Sequence, residues 1–137
     1  MSLEVCFGLA RNVDIHTKTT SKTKEKALGG VMQGLLEEGD SVTWEATHFG
    51  IKQKLTAKVT HMERPIEFVD TMVKGAFSSF THTHQFVEEI GGTLMIDTFE
   101  YKSPFGSIGV IADKLFLEKY MTEFIINRAK ELKRIAE

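Results

Sequence analysis

Two hydrophobic periods divide this chain. From Ser41 onwards apolar and polar residues alternate. Ser41–Phe49 places Val42, Trp44, Ala46 and His48 on one face and Thr43, Glu45 and Thr47 on the other. Gly50 turns the chain, and Ile51–Met62 alternates again, with Ile51, Leu55, Ala57 and Val59 inward and Lys52, Lys54 and Lys58 outward. Ile66–Lys74, Phe77–Glu88 and Thr93–Lys102 continue the series, separated by Glu63-Arg64-Pro65, Gly75-Ala76 and Gly91-Gly92. Strict alternation over short runs joined by tight turns predicts antiparallel strands with one covered and one solvated face. After Pro104 and Gly106 the period changes to three and four. Ile108, Ile111, Leu115, Leu117, Met121, Phe124, Ile125, Leu132 and Ile135 predict one helix over Ser107–Ala136. At 1.5 Å per residue it would reach roughly 45 Å. No second helix of that length is visible to cover it, so its apolar side must lie on the sheet. The predicted architecture is α+β: a curved antiparallel sheet of about five to six strands packed on one long C-terminal helix, in a single domain spanning 1–137.

The first third of the chain is less regular. Glu4–Asn12 reads as a short helix that buries Val5, Phe7 or Leu9. Asp14–Glu25 is polar and rich in threonine, with little helical drive. Lys26–Gly39 carries Gly29, Gly30, Gly34 and Gly39 between apolar residues and reads as a glycine-rich loop that could flap over a cavity entrance. It holds neither of the glycine patterns that cradle phosphate.

Charge narrows the function classes. Lys and Arg number 17 against 19 Asp and Glu, for a formal net charge of −2. No basic excess favours nucleic acid, and no run reaches the ~20 apolar residues that span a bilayer. Charges of both signs on the long helix argue against a membrane-surface role. The single cysteine, Cys6, excludes an internal disulfide and fits a reducing cytoplasm. Met1-Ser2-Leu3 resembles a vector-derived start, and no signal peptide opens the chain.

Alternation places Phe80, His82, His84 and Phe86 on one face of a strand, and Met95, Asp97, Phe99 and Tyr101 on one face of the next. If both faces turn inward, His82, His84, Asp97 and Tyr101 meet beside Trp44 and His48. Buried polar groups cost roughly 1–3 kcal/mol each unless paired. Three readings therefore stand side by side: a polar network that satisfies itself, a small-molecule site with a few convergent polar groups, and a metal or acid–base site using the histidines. No HExxH, cysteine cluster or nucleophile elbow supports the last, so neither catalytic nor metal-ligating residues are assigned. Cys6 has no activating motif around it and is read as structural.

Gly39-Asp40-Ser41-Val42-Thr43-Trp44-Glu45-Ala46, His48-Phe49-Gly50, Phe68-Val69-Asp70, Gly75-Ala76-Phe77 and His82-Thr83-His84 with Phe86 carry a likeness. So do Gly92-Thr93-Leu94-Met95 with Asp97, and Ser103-Pro104 with Gly106. Together they resemble a bacterial SRPBCC family protein, of the START-like, helix-grip superfamily that includes polyketide cyclases and plant pollen allergens. The resemblance covers nearly the whole chain and implies a sheet gripping the C-terminal helix over a hydrophobic cavity. Such proteins begin with a strand before the first short helix. Here Glu4–Phe7 already reads as that helix, so the first family strand is expected to be missing, leaving a sheet edge open to pairing between two copies.

The expected function is binding of a small hydrophobic or amphipathic molecule, lipid-like or polyketide-like, without catalysis and without a cofactor. Trp44, Phe80, Phe86, Phe99, Leu117 and Met121 are the expected apolar walls, and His48, His82, His84, Asp97 and Tyr101 the polar ones. The alternatives are an enzyme of the cyclase, aromatase or dehydratase kind, with His82 or His84 as base and Tyr101 as acid, and a non-catalytic interaction module with a filled core.

Overall fold

The structure, a computed structural model, describes residues 2–20, 24–48, 51–75, 77–102 and 118–136, the side chains of His48 and Ile51 excepted. Its elements run α1 (Leu3–Ala10), α2 (Val13–Thr19), β1 (Lys26–Gly30), β2 (Ser41–His48), β3 (Ile51–Glu63), β4 (Glu67–Lys74), β5 (Ser79–Glu89), β6 (Gly92–Lys102) and α3 (Glu118–Ala136). The six strands form one antiparallel sheet in chain order, with β1 and β6 at its edges. This is an α+β, helix-grip-like architecture: a curved open sheet with a C-terminal helix. The register shifts between Ala27 and Gly29 on β1, and at Thr56/Ala57 and Val59/His61 on β3. Such irregularities bend a strand and sharpen its twist, which lets a sheet wrap around a helix.

The five strands read from alternation are present, and the inward faces agree. Val42, Trp44, Ala46 and Val59 are buried, as are Phe80, His84 and Phe86 on β5. On β6 the residues Met95, Asp97, Phe99 and Tyr101 are half-buried, while Leu94, Ile96, Thr98 and Glu100 are exposed. The long C-terminal helix is present from Glu118 to Ala136; its expected beginning, Ser107 to Leu117, lies outside the described residues. No strand precedes α1 among the described residues.

Two segments differ from their sequence reading. The polar stretch after Asn12 forms helix α2. Asn12 caps it, its side chain accepting the Ile15 amide at 3.1 Å. The hydroxyls of Thr17, Thr19 and Thr20 donate back to carbonyls of the same helix. Val13 is 1% exposed and packs with Val42 and Trp44. A good cap and a buried anchor outweigh the poor propensity of the threonines.

The glycine pair is strand rather than flap. Gly30 has φ +70°, and a Cβ there would fall 2.2 Å from the Ser41 carbonyl oxygen, so only glycine lets β1 lie this close to β2. The segment beyond it is pinned to the helices. Val13 N donates to the Gly34 carbonyl at 2.8 Å, and Leu36 N to the Arg11 carbonyl at 3.0 Å.

The packed core lies under α1. Phe7 meets Phe68 and Phe86 edge-on, with ring centroids 5.6 and 5.5 Å away. Val59 and Leu132 complete this cluster. Edge-to-face contacts between rings add about 0.5–1.5 kcal/mol each to the burial itself.

Candidate functional site

Between this core and the smaller Val13, Val42 and Trp44 cluster the interior opens. A cavity of about 310 Å³ lies between the sheet and α3 and reaches α2. Trp44, Leu55, Phe80, Phe99 and Met121 supply apolar wall, and His82, His84, Asp70, Asp97, Arg128 and Glu25 reach it with polar groups.

Of the residues expected from sequence, Trp44, Phe80, His82, His84, Asp97, Phe99 and Met121 line this cavity. Phe86 does not: it is 2% exposed inside the packed cluster, because α1 lays Phe7 against it. Tyr101 does not either. It sits two residues beyond Phe99, packs on Phe77 at 5.3 Å between ring centroids, and borders an open depression beside Glu118 and Thr122. The side chain of His48 and all of Leu117 lie outside the described residues.

The polar wall is built by cross-strand register. His84 stands opposite Phe68 on β4 and Asp97 on β6; His82 stands opposite Asp70 and Phe99. The hydrogen bonds run along the diagonals, the second-nearest positions across a strand pair. His84 Nε2 lies 2.8 Å from Asp70 Oδ2, and His82 Nε2 lies 3.0 Å from Asp97 Oδ1. Asp97 Oδ1 also approaches His84 Nδ1 at 3.2 Å. That approach is electrostatic only: its angle is too poor for a hydrogen bond, and the buried Nδ1 has no hydrogen-bond partner. The two imidazoles stack with centroids 3.8 Å apart, and Phe68 stacks on the far side of His84 at 4.1 Å.

This geometry divides the charge unequally. Burial opposes the imidazolium form of His84, but the hydrogen bond to Asp70 and the nearness of Asp97 outweigh it, so its pKa is raised. Burial, and then the charge on His84, push His82 down to about 4. Burial alone would raise the carboxyls of Asp70 and Asp97; their histidine partners reverse this and hold both below the usual carboxylate range. The wall therefore sets two carboxylates beside a neutral His82 and a His84 that takes up a proton more readily than a free imidazole.

One donor atom from each of Asp70, His82 and His84 lies within 4.8 Å of the others, a spread that a divalent ion could draw together. The stacked rings oppose it. Imidazole lone pairs lie in the ring plane, and planes only 24° apart point side by side rather than at a common ion ~2.0–2.1 Å from each nitrogen. As they stand, these residues suit a hydrogen-bonded wall better than a coordination sphere.

A second polar group closes the cavity on the helical side. His16 Nε2 lies 3.1 Å from Glu25 Oε1, and the His16 ring lies on Trp44 with centroids 4.2 Å apart. Burial, then the charge on Arg128, lower the His16 pKa against the pull of Glu25.

Sequence reasoning did not assign Asp70, Arg128, His16 or Glu25. Two of them left a signal. Alternation from Phe68 puts Asp70 on the inward face of β4. The spacing Met121, Phe124, Arg128, Leu132 puts Arg128 inside the apolar stripe of α3. His16 and Glu25 leave none, since the polar, threonine-rich stretch Asp14–Glu25 shows no apolar period.

Comparison with known proteins places the fold. No family model matches the chain, and no curated protein matches it. Among solved structures it resembles TTHA0849 from Thermus thermophilus, with a TM-score of 0.77 at 19% identity over 96% of this chain and 87% of that one. It also resembles protein Ms6760 from Mycobacterium smegmatis, with a TM-score of 0.68 at 17% identity over 98% of this chain and 83% of that one. At such identities the likeness is one of fold.

Proposed function

We propose that this chain is an SRPBCC, START-like protein that binds a small amphipathic molecule, lipid-like or polyketide-like, between its sheet and C-terminal helix without transforming it. The observation that carries the reading is the cavity of about 310 Å³, apolar over most of its wall with a few convergent polar groups. Sites for small molecules typically have this size and make-up. The test is native mass spectrometry of protein purified without added ligand, followed by organic extraction. A co-purified amphipathic molecule is the expected result. A chain that stays empty, and whose Trp44 fluorescence is unmoved by a panel of amphipathic probes, would overturn it.

The enzyme reading is weaker on two counts. Of the two expected bases, His82, with a pKa of about 4, accepts protons poorly at neutral pH, and both nitrogens of His84 are occupied or enclosed, Nε2 by Asp70 and Nδ1 by the protein around it. Tyr101, its expected acid partner, borders the outer depression rather than the cavity.

Self-association belongs to the same proposal. The β6 edge is flanked by Leu94 and Ile96, 43% and 38% exposed, and would join two copies by strand pairing. Sedimentation that shows only monomer at high concentration would exclude this. Among the described residues no helix is long and apolar enough to cross a membrane. The free, half-buried thiol of Cys6 supports placement in a reducing cytoplasm.

A further inference from the structure

The cavity wall carries several charged groups, and all but one are matched. Asp70 is held by His84 and Asp97 by His82. Glu25 is held by His16, and Asp40 accepts the Glu37 amide. Arg11 is paired with Glu37 at 2.8 Å and covers the Phe7 ring. Arg128 has no ion-pair partner among the described residues. Its Nη2 donates to the Ala10 carbonyl at the end of α1, at 3.1 Å. Its Nε is enclosed by protein without an acceptor, as is that of Arg11, and its Nη1 is neither enclosed nor hydrogen-bonded among the described residues.

A guanidinium is planar, so one fixed nitrogen orients the whole fork. Here the Ala10 carbonyl fixes it in the cavity wall, halfway along the helix that closes the cavity. The donor left for an occupant is Nη1, and a charged N–H to a carboxylate is among the stronger hydrogen bonds. Other cavity walls repel an anion, since Asp70, Asp97 and Glu25 are acceptors already engaged. The arrangement therefore gives a ligand one orientation. Its acidic end meets α3, and its apolar body lies towards Trp44, Phe80 and Phe99.

We propose that Arg128 anchors the ligand by its carboxylate, so that the molecule taken up is an apolar carboxylic acid bound as the anion. This rests on the cavity being a binding site, and it adds the chemical class of the occupant.

The test uses the whole chain and its single tryptophan, Trp44, which lies in the cavity wall. Decanoate, decanol and methyl decanoate are titrated at neutral pH, where the acid is ionised, and Trp44 fluorescence is read with calorimetry alongside. Decanoate is expected to bind about tenfold to a hundredfold more tightly than either neutral analogue, the range for a hydrogen bond to a charged group. Arg128→Gln should remove that preference, and Arg128→Lys should restore part of it. Comparing the three probes on the unaltered protein needs no variant, so a poorly folded Arg128→Gln does not void the test. Equal affinity for all three overturns the carboxylate anchor while leaving a binding cavity. Failure of all three to bind overturns both readings.

Discussion

Phe86 and Phe80 lie six residues apart on the same face of β5, yet they do different things. Phe86 is locked among Phe7, Phe68, Val59 and Leu132. Phe80 is nearly as buried, at 6% exposure, but it borders an opening rather than another ring of the packed cluster. The difference lies outside the sheet. At one end α1 lays Phe7 into the concave face. At the other, α3 spans it at a distance and α2 reaches only its rim through His16 and Val13. One strand face thus builds a core where a helix presses on it and a cavity where none does.

The largest expected effect tests this contrast directly. Phe86→Ala should cost about 4 kcal/mol of stability in urea unfolding, the usual loss for a phenylalanine in a close-packed core. Phe80→Ala should cost no more than about half of that, because it enlarges a space that already exists. Equal losses would mean that the two ends are packed alike and that the cavity is not a distinct feature.

The polar wall comes next. His84→Ala leaves Asp70 and Asp97 without the imidazole they share and should cost about 2–3 kcal/mol, the range for depriving a charged acceptor of its hydrogen-bond donor. His82→Ala removes a neutral partner and should cost only about 1 kcal/mol. If His82→Ala proves the more damaging, the order of proton affinity of the two rings is reversed, and nitrogen NMR of the two imidazoles would show it.

The same assignment fixes a pH dependence. His82 has a folded pKa of about 4, below its unfolded value of about 6.5. As pH falls from 6.5 to 4, the unfolded chain takes up a proton there that the folded chain refuses, so stability falls with pH. His84 works the other way: its raised pKa stabilises the fold fully below about 6.5, and that contribution is lost as pH rises through the folded value. The depressed carboxyls of Asp70 and Asp97 contribute above about pH 3.9 and lose their contribution below it. Stability should therefore be greatest near neutrality and fall by about 2 kcal/mol towards pH 4.5. His82→Gln should flatten the first part of that fall. A profile that is flat from pH 7 to 4.5 in the unaltered protein would rule out a buried neutral His82.

The smallest effect concerns the rim. Asn12→Ala removes the cap of α2 and should cost about 1 kcal/mol. Because α2 carries His16 onto Trp44, the same change should shift Trp44 fluorescence. A change in stability with no spectral shift would mean that the stacking does not depend on α2.

Much of this protein is determined locally. Strand alternation is a period-two property of the chain, so Val42, Trp44, Phe80, His82, His84, Asp97 and Phe99 could be assigned to one interior from the sequence alone. The three-four spacing of Met121, Phe124, Ile125 and Leu132 likewise identified the helix that must lie over them. What local pattern does not carry is which distant elements meet. Helix α2 forms despite weak propensity because Val13 finds Val42 and Trp44 across the fold. Gly29-Gly30 becomes strand because β2 offers it an edge at a distance only glycine tolerates. Asp70 becomes the partner of His84, and Arg128 a cavity cation, through register and helix placement. Periodicity sorts residues into inside and outside, since it follows from the backbone repeat of each element. Only the tertiary structure decides whether the inside is filled, charged or open, because that depends on how closely separate elements approach.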